Sequence, residues 1–221
     1  WLMEHSKDSK LPYHHGALRQ ALLEAGDSVL RDRGLSGFTL RECARRAGVS
    51  HAAPKHHFGD VRGFLTEIAA LGFDQLTRQL HTQIAIAHDL DEEFINTTRA
   101  YADFAGENPE HFRIMFRYDL LSATSERLAQ AAGETFTVLT NVVLRQRGDP
   151  ELPASVYDEK VAESVIDDIV LSWSHIHGFA HLKLEQQMSM LPAATHDDVM
   201  VRASRRLSRF IRSDAGHQDE G

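Results

Sequence analysis

Apolar residues in this 221-residue chain recur three and four positions apart, and the every-second-residue alternation of a strand is almost absent. Such a chain can bury its apolar surface only by laying helical stripes against one another, so the fold class is all-α. Leu18, Leu22, Ala25 and Val29 make one apolar stripe on a first helix from about Gly16 to Arg33, and Gly34 supplies a left-handed stop. Thr39 and Glu42 form a T-x-x-E capping box that opens a short second helix ending at Gly48. Ser50 is expected to cap a third helix that runs to about His57. A longer fourth helix begins at Asp60 and carries Phe64, Leu65, Ile68, Leu71, Leu76 and Leu80 to about His88. Further helices read as 92–105, 109–120 started by Pro109, 123–147 stopped by Gly148, 156–186 and 197–213. The stretch GDPELPAS at 148–155 is the clearest loop.

Length allows one large domain or two modest ones, enough to bury a core without disulfides or metals. One cysteine, Cys43, excludes an internal disulfide framework and suits a reducing cytoplasm; its register with Leu40 and Ala47 makes it a core residue rather than a redox switch. No apolar run reaches the ~18 residues of a membrane span, and WLMEHSKDSK has no apolar signal region, so a cytoplasmic protein with no membrane partner is expected. The formal net charge of −8 is unevenly spread. Residues 1–62 hold ten Lys/Arg against seven Asp/Glu, while the remainder holds 14 against 25. A basic end that meets phosphates, attached to an acidic remainder that repels them, accounts for that split.

The segment TLRECARRAGVSHAAPKHHF at 39–58 carries the most information. Two short helices meeting at a sharp angle need a small residue where they touch and one able to take positive φ in the turn, and Ala44 and Gly48 sit at those places, with Val49 plugging the corner. Spacing alone leaves open an ordinary helical corner. Read as a helix-turn-helix, it puts the start of the third helix in the major groove. The DNA-contacting candidates are then Thr39, Arg41, Ser50, His51, Ala52, Lys55, His56 and Arg62; His51 and Ala52 are placed for base edges, the basic residues for phosphates. His57 and Phe58 are expected to be structural, and Pro54 is tolerable only in or near the first helical turn.

In these parts, GALRQALLEAG, FTLRECARRAGVS, HAAPKHHF and GDVRGFLTEI, the chain resembles the TetR family of transcription regulators, specifically over residues 14–70 and loosely beyond. Trp173, His177 and Gly178 in WSHIHGFAHL, with YHHGALR at 13–19, resemble one branch of that family with a C-terminal W…HG signature. The resemblance implies an N-terminal three-helix DNA-binding domain and a C-terminal helical domain whose last two long helices form a four-helix bundle in a dimer, with a small-molecule pocket in the central helices. The chain departs from the family at Lys55, where a tyrosine is usual, and at Val61, where a lysine is usual. Both are phosphate contacts in the family, so Lys55 and Arg62 are left to replace them.

The resulting organisation is a disordered arm at 1–12, the helix-turn-helix domain at 13–58, an effector-binding and dimerisation domain at 59–213, and a disordered tail at 214–221. Phe104, Phe112, Met115, Phe116, Trp173 and His177 are the candidate walls of an effector pocket for a mostly apolar small molecule, or else plain core. Val165, Ile169, Leu207 and Ile211 are the candidate dimer interface, so the operator should be a near-palindrome bound by a dimeric repressor. Ligand-induced rotation of the fourth helix would then change the spacing of the two recognition helices. Among the 14 histidines, His177 and His181 share a helical face at a zinc-compatible spacing, which raises the possibility of a metal sensor. His175 projects elsewhere and no cysteine cluster or Glu-x-x-His motif accompanies them, so neither metal nor cofactor is expected. An all-helical enzyme and a helical adaptor compete with the regulator reading; an enzyme would need convergent catalytic groups, and only dispersed His and acidic residues are on offer.

Overall fold

A computed structural model describes residues 13–153, 163–192 and 195–218. Among them all regular structure is helical: α1 Tyr13–Arg33, α2 Leu40–Arg46, α3 Ala53–Phe58, α4 Val61–Ile84, α5 Leu90–Glu107, α6 Pro109–Met115, α7 Glu126–Arg147, α8 Glu163–Leu184 and α9 His196–Gln218, with 3₁₀ turns at Leu35–Gly37 and Tyr118–Leu120. The expected arm at 1–12, the first residues of the helix expected at 156–186, and 219–221 lie outside the described residues. The chain divides into two compact units between Leu65 and Thr66, inside the first turns of α4 rather than at 58/59. No helix among the described residues is long and apolar enough to cross a membrane.

In the first unit α1 buries Leu22, Ala25 and Val29, as its stripe predicts, with Leu18 half-buried beside them. Each large apolar side chain so enclosed contributes roughly 1.5–3 kcal/mol. Cys43 and Ala44 of α2 are fully buried, and burial pushes the Cys43 thiol up to about 11. Phe64, in the first turn of α4, packs on Phe58 and Phe38 with ring centroids 4.4 and 5.3 Å away. A side chain at Gly63 would place its Cβ 2.0 Å from the Phe58 carbonyl oxygen, so only glycine allows that approach.

The second unit is organised around α5, which is buried on nearly every side and packs on α6, α7, α8 and α9. Its Thr97 and Thr98 hydroxyls donate to the Glu93 and Phe94 carbonyls at 2.8 and 3.0 Å, so these enclosed polar groups are satisfied within their own helix. Ion pairs tie the outer helices to one another and to α5. Arg147 of α7 meets Asp168 of α8, both side chains 7% exposed, and Arg145 meets Glu93 of α5. Asp91 accepts from Ser208 and Arg209 of α9 at 2.8 and 3.3 Å and also pairs with Arg212.

Several boundaries differ from the sequence expectation. The third helix is capped by Ala52 and not by Ser50; Ser50 instead accepts the Ala53 amide through its carbonyl, forming a turn ahead of the helix, with Pro54 in the first helical turn. α4 stops at Ile84, and Leu71 faces outward because a four-residue spacing through Ile68, Gly72, Leu76 and Leu80 carries the buried stripe past it. α5 starts at Leu90, capped by Asp89, whose carboxylate accepts the Glu92 amide at 2.7 Å. The helix expected at 109–120 ends at Met115, since Arg117 (φ −94°, ψ 66°) leaves helical backbone before the 3₁₀ turn. α9 continues through Gln218, so 214–218 are helical and not a frayed tail.

Candidate functional site

Two regions gather the candidate residues, one in each unit. In the first, Thr39 holds extended backbone (φ −144°, ψ 142°) and its hydroxyl accepts the Glu42 amide at 3.2 Å, fixing where α2 begins. The Glu42 carboxylate does not return the bond to Thr39. It accepts from Arg45 at 2.7 and 2.8 Å and from Arg46 at 3.1 Å, and these bonds hold its carboxyl at about 2, well below the usual range. Arg46 also donates to Ser28 of α1 at 2.7 Å, tying α2 to α1.

At the corner Gly48 takes φ +67°, while the Val49 amide donates to the Ala44 carbonyl at 3.0 Å and the Gly48 amide to that of Arg45 at 3.3 Å. This paired closure lets α2 end within one residue and redirects the chain. Beyond it Ser50, His51, Ala52, Lys55 and His56 are exposed, as are Thr39, Arg41 and Arg62, while Pro54 and Phe58 on the opposite side of α3 are buried. The Arg19 guanidinium lies over the Phe58 ring, 5.3 Å from its centroid, and His57 is half-buried with its ring 6.2 Å from that of Phe58. All eight candidate contacts are thus solvent-facing, on a scaffold whose inner face is core. Val61, where the family usually has lysine, is 41% exposed.

In the second unit the expected effector residues separate into two groups. Phe104 and Met115 are fully buried core, while Phe112, equally buried, sets its ring 5.3 Å from Phe116 and 5.4 Å from His177 and so belongs with the second group. Phe116, Trp173 and His177 come together, with His177 4.5 Å from Phe116 and 5.7 Å from Trp173 between ring centroids. Tyr101, not anticipated from the sequence, joins them: its hydroxyl lies 2.8 Å from His177 Nδ1. Burial, and then the neighbouring His181, lower the His177 imidazole to about 4, so it is neutral at pH 7. The two histidine rings stand 4.6 Å apart, but among the described residues no group of three or more His, Cys, Asp or Glu is placed to hold a metal.

Phe116 and Trp173 also line a cavity of about 120 Å³ with Phe73, Tyr101, Tyr118 and Phe136. Phe73, Tyr101, Tyr118, Phe136 and the remaining lining residues on α7 lie outside the candidate set. No sequence signal marks them, since the lining is assembled from stretches far apart in the chain.

The expected dimer residues need correction. Val165, Ile169 and Ile211 are buried within their own chain and have almost no surface left to give a partner; Leu207 is half-buried. On α8 the outward apolar residues lie one position further along: Ile166 and Val170 are 45% and 52% exposed.

A helix-turn-helix with a polar outer face, followed by a larger all-helical unit, is the build of a DNA-binding transcription regulator. The family model described as Tetracyclin repressor-like, C-terminal domain, matches residues 94–207, just over half of the chain. The chain belongs to the TetR family of transcriptional regulators. Among solved structures it is similar to a protein of unknown function from Rhodococcus sp. RHA1, with 27% identity, 90% of this chain and 98% of that chain covered, and a TM-score of 0.72. A TetR family transcription regulator from Marinobacter aquaeolei VT8 shares 17% identity over 89% and 98% of the two chains (TM-score 0.61). PfmR, a TetR family transcriptional regulator from Thermus thermophilus, shares 19% over 85% and 97% (TM-score 0.56). At these last two identities the likeness is one of fold.

Proposed function

We propose that the protein is a repressor that binds a near-palindromic operator as a homodimer through α2 and α3, and whose DNA affinity is set by a small, mostly apolar effector held in the second unit. The observation that carries the DNA-binding half is the corner at Gly48, which presents His51, Ala52, Lys55 and His56 on one exposed face above the buried Cys43, Ala44, Pro54 and Phe58. Homodimerisation is supported by a row on α8 at four-residue intervals, Ile166, Val170, Ser174, Gly178 and Leu182, in which Ile166, Val170 and Leu182 are exposed apolar side chains. Gly178 has nothing within 4 Å of where a Cβ would stand, so a single chain does not demand glycine there, whereas the close approach of a second helix would.

Selection of bound fragments from a genomic library tests the DNA-binding half directly, and the recovered site should be a near-palindrome. Lys55→Ala and Arg62→Ala should each weaken binding about equally across sequences and reduce the salt slope by roughly one unit, whereas His51→Ala should change sequence preference. Unaltered affinity and slope in all three would remove the assignment. Val170→Glu should give a monomer in sedimentation and cost the protein its palindromic operator; a persistent dimer would place the two-fold elsewhere.

A further inference from the structure

The cavity of about 120 Å³ in the second unit combines three features that narrow what it can hold. First, its inner wall is aromatic, with Phe73 and Tyr101 buried and Phe116 half-buried, and ring faces and edges set in this way prefer another flat ring to an alkyl chain. Second, its rim is also aromatic and open: Tyr118, Phe136 and Trp173 are 68%, 41% and 38% exposed, three large rings facing solvent around one mouth. Third, none of the residues lining it carries a charge, so an ionised ligand would lose its hydration there without gaining a counter-charge.

Volume sets the size. An engineered apolar cavity of ~150 Å³ accepts benzene, and a space somewhat smaller encloses one ring and leaves a second fused ring standing in the open mouth, where it gains little burial. Polarity sets the substituent. The Thr135 hydroxyl is already committed, lying 2.6 Å from that of Thr77 and 3.1 Å from the Ala131 carbonyl. Tyr101 is different: its hydroxyl bonds His177 Nδ1 at 2.8 Å and accepts from the Trp173 indole, and when it donates to His177 one lone pair remains for a donor on the ligand.

Resting on the ligand-responsive reading above, we propose that this cavity is the effector site and that it takes an uncharged single-ring aromatic molecule of benzene to phenol size. Phe73 is carried by α4, the helix that begins in the DNA-binding unit, so the occupant touches an element common to both units.

The test uses the full chain with phenol, toluene, benzoate and naphthalene as probes. Trp173 is one of only two tryptophans, so in a Trp1→Phe background its fluorescence reports the cavity mouth alone. Phenol and toluene should change that fluorescence saturably, and at a hundredfold excess over the dissociation constant should raise the thermal midpoint by on the order of 5 °C; benzoate should do neither, and naphthalene, with little burial gained, should bind no more tightly than toluene. Ala132 lines the cavity and is only half-buried, so Ala132→Phe should fill the space and abolish binding; Ala132→Leu, a smaller change, should weaken it if the first variant does not fold. Equal binding of benzoate, no binding of either neutral ring, or binding unchanged in the filled variant overturns the proposal. Operator affinity measured in parallel separates the two levels. Phenol that binds at Trp173 without altering DNA affinity establishes the ligand site and sinks the effector reading, whereas another compound that releases DNA with Trp173 silent keeps a ligand-responsive regulator and overturns this site.

Discussion

The first unit closes a small core with helices whose ends are set by local chemistry, a threonine cap at Thr39 and a glycine corner at Gly48, whereas the second encloses one helix, α5, within others and ties them with ion pairs. Shape follows from that contrast. The first presents short elements at sharp angles, as a DNA-reading corner requires; the second holds long helices side by side and leaves an aromatic cavity among them. Stability in the first should depend on a few backbone positions, and in the second on buried charge and ring packing.

The hardest blow to the second unit is removal of one half of a buried pair. Asp168→Ala leaves the Arg147 guanidinium enclosed with only Asp149 as partner and should destabilise that unit by about 3 kcal/mol, read from chemical denaturation. A cost under about 1 kcal/mol would mean that this pair behaves like a surface bridge. In the first unit the counterpart is Gly63→Ala. The gain in helix propensity of about 1 kcal/mol is outweighed by a Cβ driven against the Phe58 carbonyl, and a net loss of about 2 kcal/mol, with operator binding reduced, is expected.

Acid should separate the units. His177 titrates at about 4 when folded against an ordinary 6.5, so the unfolded chain takes its proton first. Its contribution is whole above pH 6.5 and drains away as the pH falls to about 4, by about 1–2 kcal/mol once solvent screening is allowed for. Glu42 in the first unit, held at about 2 from an ordinary 4.5, keeps its contribution down to pH 4.5 and loses it only below. Between pH 6.5 and 4.5 amide protection, taken relative to the intrinsic exchange rate at each pH, should therefore fall in the second unit before the first, and His177→Gln should flatten the difference. Simultaneous loosening would break the contrast. The smallest effect is Thr39→Ala, which removes a cap from α2 at a cost of about 1 kcal/mol and should leave Trp173 fluorescence untouched.

The same contrast explains what was legible in the sequence. The Thr39 cap, the stops at Gly48 and Gly148, and the α1 stripe depend on residues within a few positions of one another, and all four are found where the pattern put them. Ser50 misled because Ser, His and Ala at 50–52 were free to form a turn first, and Pro54 fits the second helical position as well as a later one. Farther along, face assignment depended on partners distant in the chain. Leu71 fits a helical stripe as well as Phe73 does, and Val165 fits as well as Ile166; only partners distant in the chain, such as Phe116 and Thr135 against Phe73, decide which of each pair turns inward. The cavity was the least legible feature, since Phe73, Tyr101, Phe136 and Trp173 sit on four helices and no local spacing links them.

Cys43 turns the first unit into its own clock. The chain's only cysteine is fully enclosed beneath the proposed DNA-reading face and its thiol is pushed up to about 11, so a thiol-modifying reagent at neutral pH finds almost no thiolate and no path to it. Modification must wait for that unit to open. The labelling rate of the unaltered protein therefore counts excursions of the DNA-binding unit alone, against a background that the second unit, with no cysteine, cannot contaminate, and a bound operator should slow that count in proportion to how firmly it holds the corner shut.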